Sequence, residues 1–293
     1  MNTKKQIITG FTGAFLAAAV LAGCGANASN PAQDSGDKNI TIGYVNWTED
    51  VATTYLWKDL LTEKGYHVTL KNLSLGPLFS GLSENGVNVF FDSWLPEQNQ
   101  YIGKYSENIE NLGQWYTGDT KEGFVVPSYM KNVNSIADLK QYAANFNNQI
   151  VGIDPGAVEM QLSQKAISDY GLPLKLVESS APAMLSSLER AYKEQKPIVV
   201  TLWSPHWAFT KYHLKYLSDP KEVFGKAGRI QTEANKTWVT SHPEAAKWLK
   251  TFKLTPGQLG TLEEDINQTN STERGVKKWI HDNQSVINTW FHS

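Results

Sequence analysis

The chain has 293 residues, one cysteine and a formal net charge of −2. A charge so close to zero gives no electrostatic basis for nucleic-acid binding, and one cysteine excludes an internal disulfide bond. After the N-terminal apolar run no stretch is long enough to cross a bilayer, so we expect one large or two medium domains.

The N-terminus carries the pattern of a signal peptide. Lys4 and Lys5 precede an apolar run from Ile7 to Ala22, which is short for a membrane span and typical of a secretory signal. The small residues before Cys24 resemble a bacterial lipobox, and this resemblance implies cleavage after residue 23 and a lipid on the Cys24 sulfur. The alternative is an ordinary secretory signal with an incidental cysteine. Residues 24–39 are then the lipidated cysteine and a flexible polar tether.

From Ile40 the pattern alternates between strand and helix. Residues 40–45, 67–73 and 87–94 are apolar and β-branched, and amphipathic segments at 48–65 and 76–86 separate them. This βαβαβ order predicts a parallel sheet with right-handed crossovers.

A second series follows residues 123–127. It predicts helices at 135–143, 157–170 and 182–195 and strands at 149–153, 175–179 and 197–203. The last part predicts helices at 242–252, 256–266 and 272–290. Two such series predict an α/β fold with two lobes and a ligand cleft between them. We assign residues 40–124 and 229–293 to lobe 1 and residues 125–228 to lobe 2.

Three of the ten tryptophans occupy equivalent positions. Trp47, Trp94 and Trp203 each follow an apolar strand pattern and precede the predicted start of a helix. Ligands bind beyond the carboxyl ends of the strands in open α/β sheets, so the three rings are predicted to meet in one crevice. An aromatic cage of this kind suits a quaternary ammonium, which is held through the ring quadrupoles. Packing in the core is the alternative for each ring.

The stretch Val151-Gly152-Ile153-Asp154-Pro155-Gly156 leaves a predicted strand and enters a predicted helix. Backbone N–H groups at such a turn form a ready anion site. Together with the aromatic cage, this turn predicts a zwitterionic ligand with one carboxylate and one cation.

The segments GYVNW, DSWLP, VGIDPG and WSPHW together resemble the glycine betaine-binding proteins of compatible-solute ABC importers, which have the type II substrate-binding-protein fold. The resemblance runs from about Ile40 to the C-terminus. It implies that Trp47, Trp94 and Trp203 enclose the trimethylammonium group and that the amides of Gly152 and Ile153 hold the carboxylate. It also implies partners: a membrane permease and its ATPase subunits.

One position departs from the family. Relatives often carry a histidine after the WLP segment that helps to bind the carboxylate, and Asn99 stands there instead. Asn99 and His206 are therefore further candidate ligand contacts. Because this histidine is missing, little change in affinity is expected between mildly acidic and neutral pH, unless His206 is a ligand contact.

The sequence has no nucleophile-and-base pattern, no metal-spaced histidine cluster and no phosphate-binding glycine loop, so we predict neither catalysis nor a cofactor or metal. The expected function is the extracytoplasmic capture of glycine betaine for osmoprotection. Proline betaine, carnitine and choline are alternative ligands. An enzyme or a surface adhesin on a lipid anchor is a more distant alternative.

Overall fold

The computed structural model describes residues 37–292. The predicted signal peptide, Cys24 and the tether as far as residue 36 lie outside the described residues. The strands of the described part of the chain are β1 (Asn39–Tyr44), β2 (His67–Asn72), β3 (Val89–Leu95), β4 (Ile109–Gln114), β5 (Lys121–Pro127), β6 (Gln149–Val151), β7 (Lys175–Val177), β8 (Val200–Ser204), β9 (Leu214–Tyr216) and β10 (Arg229–Asn235).

The α-helices of the described residues are α1 (Thr48–Glu63), α2 (Leu75–Ser83), α3 (Asn99–Tyr105), α4 (Leu139–Tyr142), α5 (Val158–Tyr170), α6 (Ala181–Lys193), α7 (Ala208–Lys211), α8 (Lys236–Ser241), α9 (Pro243–Thr251), α10 (Pro256–Thr269), α11 (Thr272–Asp282) and α12 (Gln284–Phe291). No helix among residues 37–292 is long and apolar enough to cross a membrane.

Two five-stranded sheets form the two layers around which the helices pack. The first has the strand order β2-β1-β3-β10-β4 and the second β7-β6-β8-β5-β9. In the first sheet β3 is central and every one of its residues is buried, as is typical of a strand covered on both faces. The predicted α/β fold with two lobes is confirmed.

The parallel pairing predicted for the βαβαβ segment is confirmed, and both sheets also contain antiparallel strands. β1 pairs in parallel with β2 and β3, as the βαβαβ pattern predicts. β10 pairs antiparallel with β3 and β4, and β5 pairs antiparallel with β8 and β9. Both antiparallel strands are the first that the chain forms after passing from one sheet to the other, so no crossover helix fixes their direction.

The chain passes twice between the two sheets. β4 ends in the first sheet and β5, which spans the predicted boundary at residue 124, begins the second. The chain returns between β9 and β10, and β10 begins at Arg229. The assignment of whole residue ranges to the two lobes remains a prediction.

Two predicted helices are interrupted. The segment 135–143 forms α4 only over four residues, with 3₁₀ turns on both sides. The segment 272–290 divides into α11 and α12 at Asn283, which serves as the end of one helix and the start of the next.

Helices α10 and α11 form a tight hairpin in which a glycine allows backbone to touch backbone. A Cβ added at Gly275 would lie 2.3 Å from the Ile266 Cα. At Gly260, on α10, an added Cβ would meet nothing within 4 Å.

We expect Gly275→Ala to lower the free energy of unfolding by about 2 kcal/mol or more, because neither backbone can give way cheaply. The matched variant Gly260→Ala should raise it by roughly 0.5–1 kcal/mol through helix propensity. Chemical unfolding of both variants measures this. A Gly275→Ala protein as stable as the wild type would contradict the close approach of the two helices.

Candidate functional site

The structure brings the three predicted tryptophans to one cavity. Trp47 immediately precedes α1, Trp94 lies near the end of β3, and Trp203 lies near the end of β8. Their exposed fractions are only 6%, 4% and 3%. Two rings thus come from the first sheet and its connections, and the third comes from the second sheet.

This aromatic cavity encloses about 320 Å³ of empty space, including the open space at its mouth. Water-sized molecules reach only about 20 Å³ of it, so the walls lie close together and the cavity is nearly closed around the rings. Its lining residues are Trp47, Glu49, Trp94, Glu97, Gln98, Glu122, Ile153, Ala157, Val158, Glu159 and Trp203.

Buried carboxyl groups accept hydrogen bonds from two of the three indoles. Trp94 Nε1 donates to Asp92 Oδ1 at 2.9 Å, and Trp203 Nε1 donates to Glu49 Oε2 at 2.7 Å. The Trp203–Glu49 bond links β8 of the second sheet to α1, which packs on the first sheet. Trp47 Nε1 is buried and has no hydrogen-bond partner among residues 37–292.

The two carboxyl groups are themselves coupled. Burial raises the pKa of Glu49 to about 7 and that of Asp92 well above its ordinary value. Repulsion from Glu49 and Asp50 adds to the rise in the pKa of Asp92, and the hydrogen bond from the Trp94 indole partly opposes it. Near neutral pH the pair therefore carries at most one negative charge beside the rings.

The turn at Gly152 and Ile153 is present, but its amides are not equivalent. The Gly152 N–H donates to Val177 O at 2.9 Å, and Gly152 does not line the cavity. A Cβ there would lie 2.5 Å from the Met160 sulfur, which explains the glycine. Ile153 lines the cavity, and its N–H donates to the Met160 sulfur at 3.2 Å, a weak acceptor.

The N-terminus of α5 forms the wall beside Ile153. Ala157, Val158 and Glu159 are its capping residue and first two helical residues, and all three line the cavity. The first N–H groups of a helix and its dipole favour negative charge at this end.

Glu159 is the most deeply placed acid of this wall, and 2% of it is exposed. Its Oε1 atom is buried without a hydrogen-bond partner. Burial is the largest cause of the rise in its pKa to about 8, and hydrogen bonds from the Gly123 and Leu202 backbone partly oppose the rise.

Glu97 and Glu122 complete an acidic lining. Burial raises the pKa of both, and Glu159 and Glu97 add repulsion at Glu122. No lysine, arginine or histidine lines the cavity. Within residues 37–292 no group of three or more His, Cys, Asp or Glu side chains is arranged to hold a metal ion.

His206 lies beside the cavity rather than in its lining. Its Nδ1 accepts the Ala208 N–H at 3.0 Å, so its Nε2 carries the proton and donates to Thr48 Oγ1 at 3.0 Å. Burial lowers its pKa to about 3, and the neutral ring packs edge-on against Trp203 at 5.0 Å. His206 is therefore placed to support the cage by packing against the Trp203 ring.

The structure does not bring Asn99 to the cavity. Asn99 is exposed at the start of α3, and its N–H donates to Pro96 O. The neighbouring Gln98 does line the cavity, with its Oε1 buried and unpartnered. The roles of Asn99, His206, Gly152, Ile153 and the three tryptophans as ligand contacts remain predictions.

Sequence reasoning missed the buried acids. Glu49 and Glu159 each lie in the first turn of a helix, where an acidic residue is ordinary and usually exposed. Their position in the sequence could have indicated them, because Glu49 and Glu159 each follow a predicted strand end that already carries a candidate ligand contact.

Comparison with known proteins agrees with this geometry. Residues 38–282 match the model of the substrate-binding domain of ABC-type glycine betaine transport systems. A glycine betaine/carnitine transport binding protein of Listeria monocytogenes is 40% identical over 154 residues, which are 52% of this chain and 51% of the relative. The chain therefore spans about half the length of that curated relative.

Two crystal structures match over most of the chain. The glycine betaine- and L-proline-binding protein of an ABC transporter from Borrelia burgdorferi has a TM-score of 0.81 and 30% identity, covering 86% of this chain and 96% of the other. Lactococcal OpuAC in its closed form with glycine betaine has a TM-score of 0.80 and 38% identity, covering 87% and 100%.

The fold and the cavity between its sheets define a two-lobe substrate-binding protein of the periplasmic-binding-protein type. The family match over residues 38–282 makes the assignment specific. The chain belongs to the family of substrate-binding domains of ABC-type glycine betaine transport systems.

The buried acids predict a pH-dependent stability. The pKa of Glu159 is about 8 in the folded protein and near its ordinary 4.5 when unfolded, so between these values the folded state binds more protons. The contribution of Glu159 to the free energy of unfolding is fully present below about pH 4.5 and is lost as pH rises through about 8.

Relative to Glu159→Gln, the wild type should therefore lose on the order of 3 kcal/mol of unfolding free energy between pH 5 and pH 8. Chemical unfolding of both proteins across this range measures the difference. Glu107→Gln, at an exposed glutamate, is the control and should follow the wild type at every pH. Parallel curves for wild type and Glu159→Gln would show that Glu159 is ionised in the folded protein.

Proposed function

We propose that this protein is an extracytoplasmic solute-binding protein that captures glycine betaine, or a related quaternary-ammonium osmolyte, and delivers it to an ABC permease and its ATPase subunits. The observation that carries the proposal is the meeting of Trp47, Trp94 and Trp203 at one buried cavity. Family membership and the likeness to a glycine betaine complex support it.

The cage accounts for the cationic end of the ligand. A quaternary ammonium has no N–H to satisfy, so apolar ring faces can enclose it without leaving a polar group unpaired. Desolvated cation–π contacts contribute up to about 2 kcal/mol per ring. The partly ionised Glu49–Asp92 pair behind the indoles adds a favourable negative potential.

The wall at the start of α5 suits the carboxylate end. The Ile153 N–H has only a thioether as acceptor, so a ligand carboxylate is a much stronger partner for it. The helix N-terminus adds a positive dipole end. The engaged Gly152 amide contributes through the shape of the turn.

Capture requires contacts that only the closed arrangement of the lobes provides. Trp203 and the α5 wall belong to the second sheet and its helices, whereas Trp47 and Trp94 belong to the first. A ligand that touches both favours closure by its differential affinity for the closed form. The Trp203–Glu49 and His206–Thr48 hydrogen bonds join the two sides directly.

Choline is the second candidate ligand, and one observation favours it. The cavity lining offers four glutamates and no basic side chain, which suits a cation without a carboxylate. Proline betaine and carnitine remain alternatives within the same chemistry. A transport role is proposed over a catalytic one because the family and the cage both point to ligand capture.

We expect Trp47→Leu, Trp94→Leu and Trp203→Leu each to weaken glycine betaine binding about tenfold or more. Leucine keeps apolar bulk but removes the π-face, a loss of about 1–2 kcal/mol. Titration calorimetry on the purified full-length chain measures the affinities.

Trp279→Leu is the control, because Trp279 is equally buried but lies on α11, outside the cavity lining. It should lower stability while its folded fraction binds like the wild type. Wild-type affinity in all three cage variants would refute the cage, and absence of saturable binding to any quaternary ammonium would refute the proposed function.

We also propose that a lipid on Cys24 anchors the protein to the cell membrane, on the strength of the lipobox-like residues before it. Cys24→Ala should move the protein from the membrane fraction to the soluble fraction and leave ligand affinity unchanged. Fractionation and mass spectrometry of the purified protein measure this. Equal membrane retention of the variant, with no lipid on the wild type, would contradict the anchor.

A further inference from the structure

Glu159 stands where a ligand carboxylate is expected to lie. It is the second residue of α5 and shares a wall of the cavity with Ile153, Ala157 and Val158. This wall contains the N-terminus of the helix, which favours an anion. One carboxyl oxygen of Glu159 is buried without a partner, and only 2% of the residue is exposed. An unpartnered polar atom in such a place requires an explanation.

A ligand carboxylate in this cavity meets no basic side chain. The four charged residues that line the cavity are all glutamates: Glu49, Glu97, Glu122 and Glu159. Two adjacent carboxylates cannot both ionise at close range, so one of them must keep a proton. A carboxylic acid that keeps its proton is a good O–H donor to a carboxylate.

We propose that Glu159 binds the ligand as a neutral acid and donates its O–H to the carboxylate of a betaine, which makes it the residue that admits carboxylate-bearing ligands to the cage. The proposal rests on the proposed function and specifies how that site binds the carboxylate end of the ligand. Glu159 would thus supply the donor that Asn99, exposed on α3, does not bring to the cavity. The raised pKa of Glu159 is consistent with a proton at neutral pH.

Other titratable groups surround Glu159 and must be considered with it. Inside the cavity it faces Glu49 on α1, Glu122 on β5 and Glu97 after β3. From β9 the Tyr216 hydroxyl feels both Glu159 and Glu122, and burial keeps its pKa raised. Beyond Glu97 and Glu122 a second, solvent-open cavity carries the charged residues Asp119, Lys121, Asp219, Glu222 and Lys226.

The proposal predicts proton linkage of opposite sign for two ligands at one site. Glycine betaine brings a carboxylate to Glu159 and raises its pKa, so binding takes up a proton and weakens as pH rises. Choline brings the cation without the carboxylate and lowers the same pKa, so binding releases a proton and does not weaken as pH rises. This pH dependence departs from the expectation based on the missing histidine.

Titration calorimetry of the full-length chain with both ligands tests the proposal, at pH 6 and pH 9 and in buffers of different ionisation enthalpy. We expect glycine betaine affinity to fall about tenfold over this range, with proton uptake on binding. Choline affinity should hold or rise, with proton release.

In Glu159→Gln the amide N–H₂ replaces the O–H as donor but cannot titrate, so betaine binding should persist and lose most of its pH dependence. Glu263→Gln is the matched control, because Glu263 is buried with a raised pKa but lines a different cavity. In this variant glycine betaine binding should still take up a proton and choline binding should still release one.

Betaine binding without proton exchange and with a flat pH profile would overturn the proposal and leave the proposed function standing. The same holds if Glu159→Gln keeps the full wild-type slope, which would place the proton on another glutamate of the lining. If the variant does not fold, the sign of wild-type proton exchange with the two ligands still decides. Absence of binding to either ligand at both pH values would instead refute the proposed function.

Discussion

The hydrogen bond between the Trp203 indole and the Glu49 carboxylate governs the site, because it decides both the position of a ring and the charge beside it. A cage of buried indoles needs buried acceptors for its N–H groups. This chain supplies carboxyl groups, Glu49 for Trp203 and Asp92 for Trp94. Burial raises the pKa of both acceptors, so the ring positions and the charge beside the rings depend on the same two carboxyl groups.

The repeated strand–helix alternation was enough to predict two α/β units and to place Trp47, Trp94 and Trp203 at strand ends. Each ring directly follows or ends a strand whose apolar pattern is local, so position along the chain translates into position in the crevice. The antiparallel strands β5 and β10 were not predictable in this way, since their direction depends on the path between the sheets.

The acidic lining was hidden for a different reason. First-turn position describes Glu49 and Glu159 as surface residues, but both are buried. Glu49 accepts the Trp203 indole N–H from the other sheet, and Glu159 lies against β5 and β8, the strands on which its own helix packs. Sequence reasoning also assumed that both amides of the Gly152–Ile153 turn were available. The Gly152 amide is taken by Val177 in the ladder between β6 and β7, a pairing that no local pattern fixes.

A zwitterion and a plain cation differ at one end only, so selection between them must occur away from the rings. The rings respond to the ammonium group that both ligands share, and their contribution cancels from the ratio of affinities. What remains is the wall at the start of α5, where the Ile153 amide and helix dipole favour an anion and an ionised glutamate opposes it. We therefore propose that the protonation of that wall, rather than the cage, sets which quaternary ammonium the site prefers.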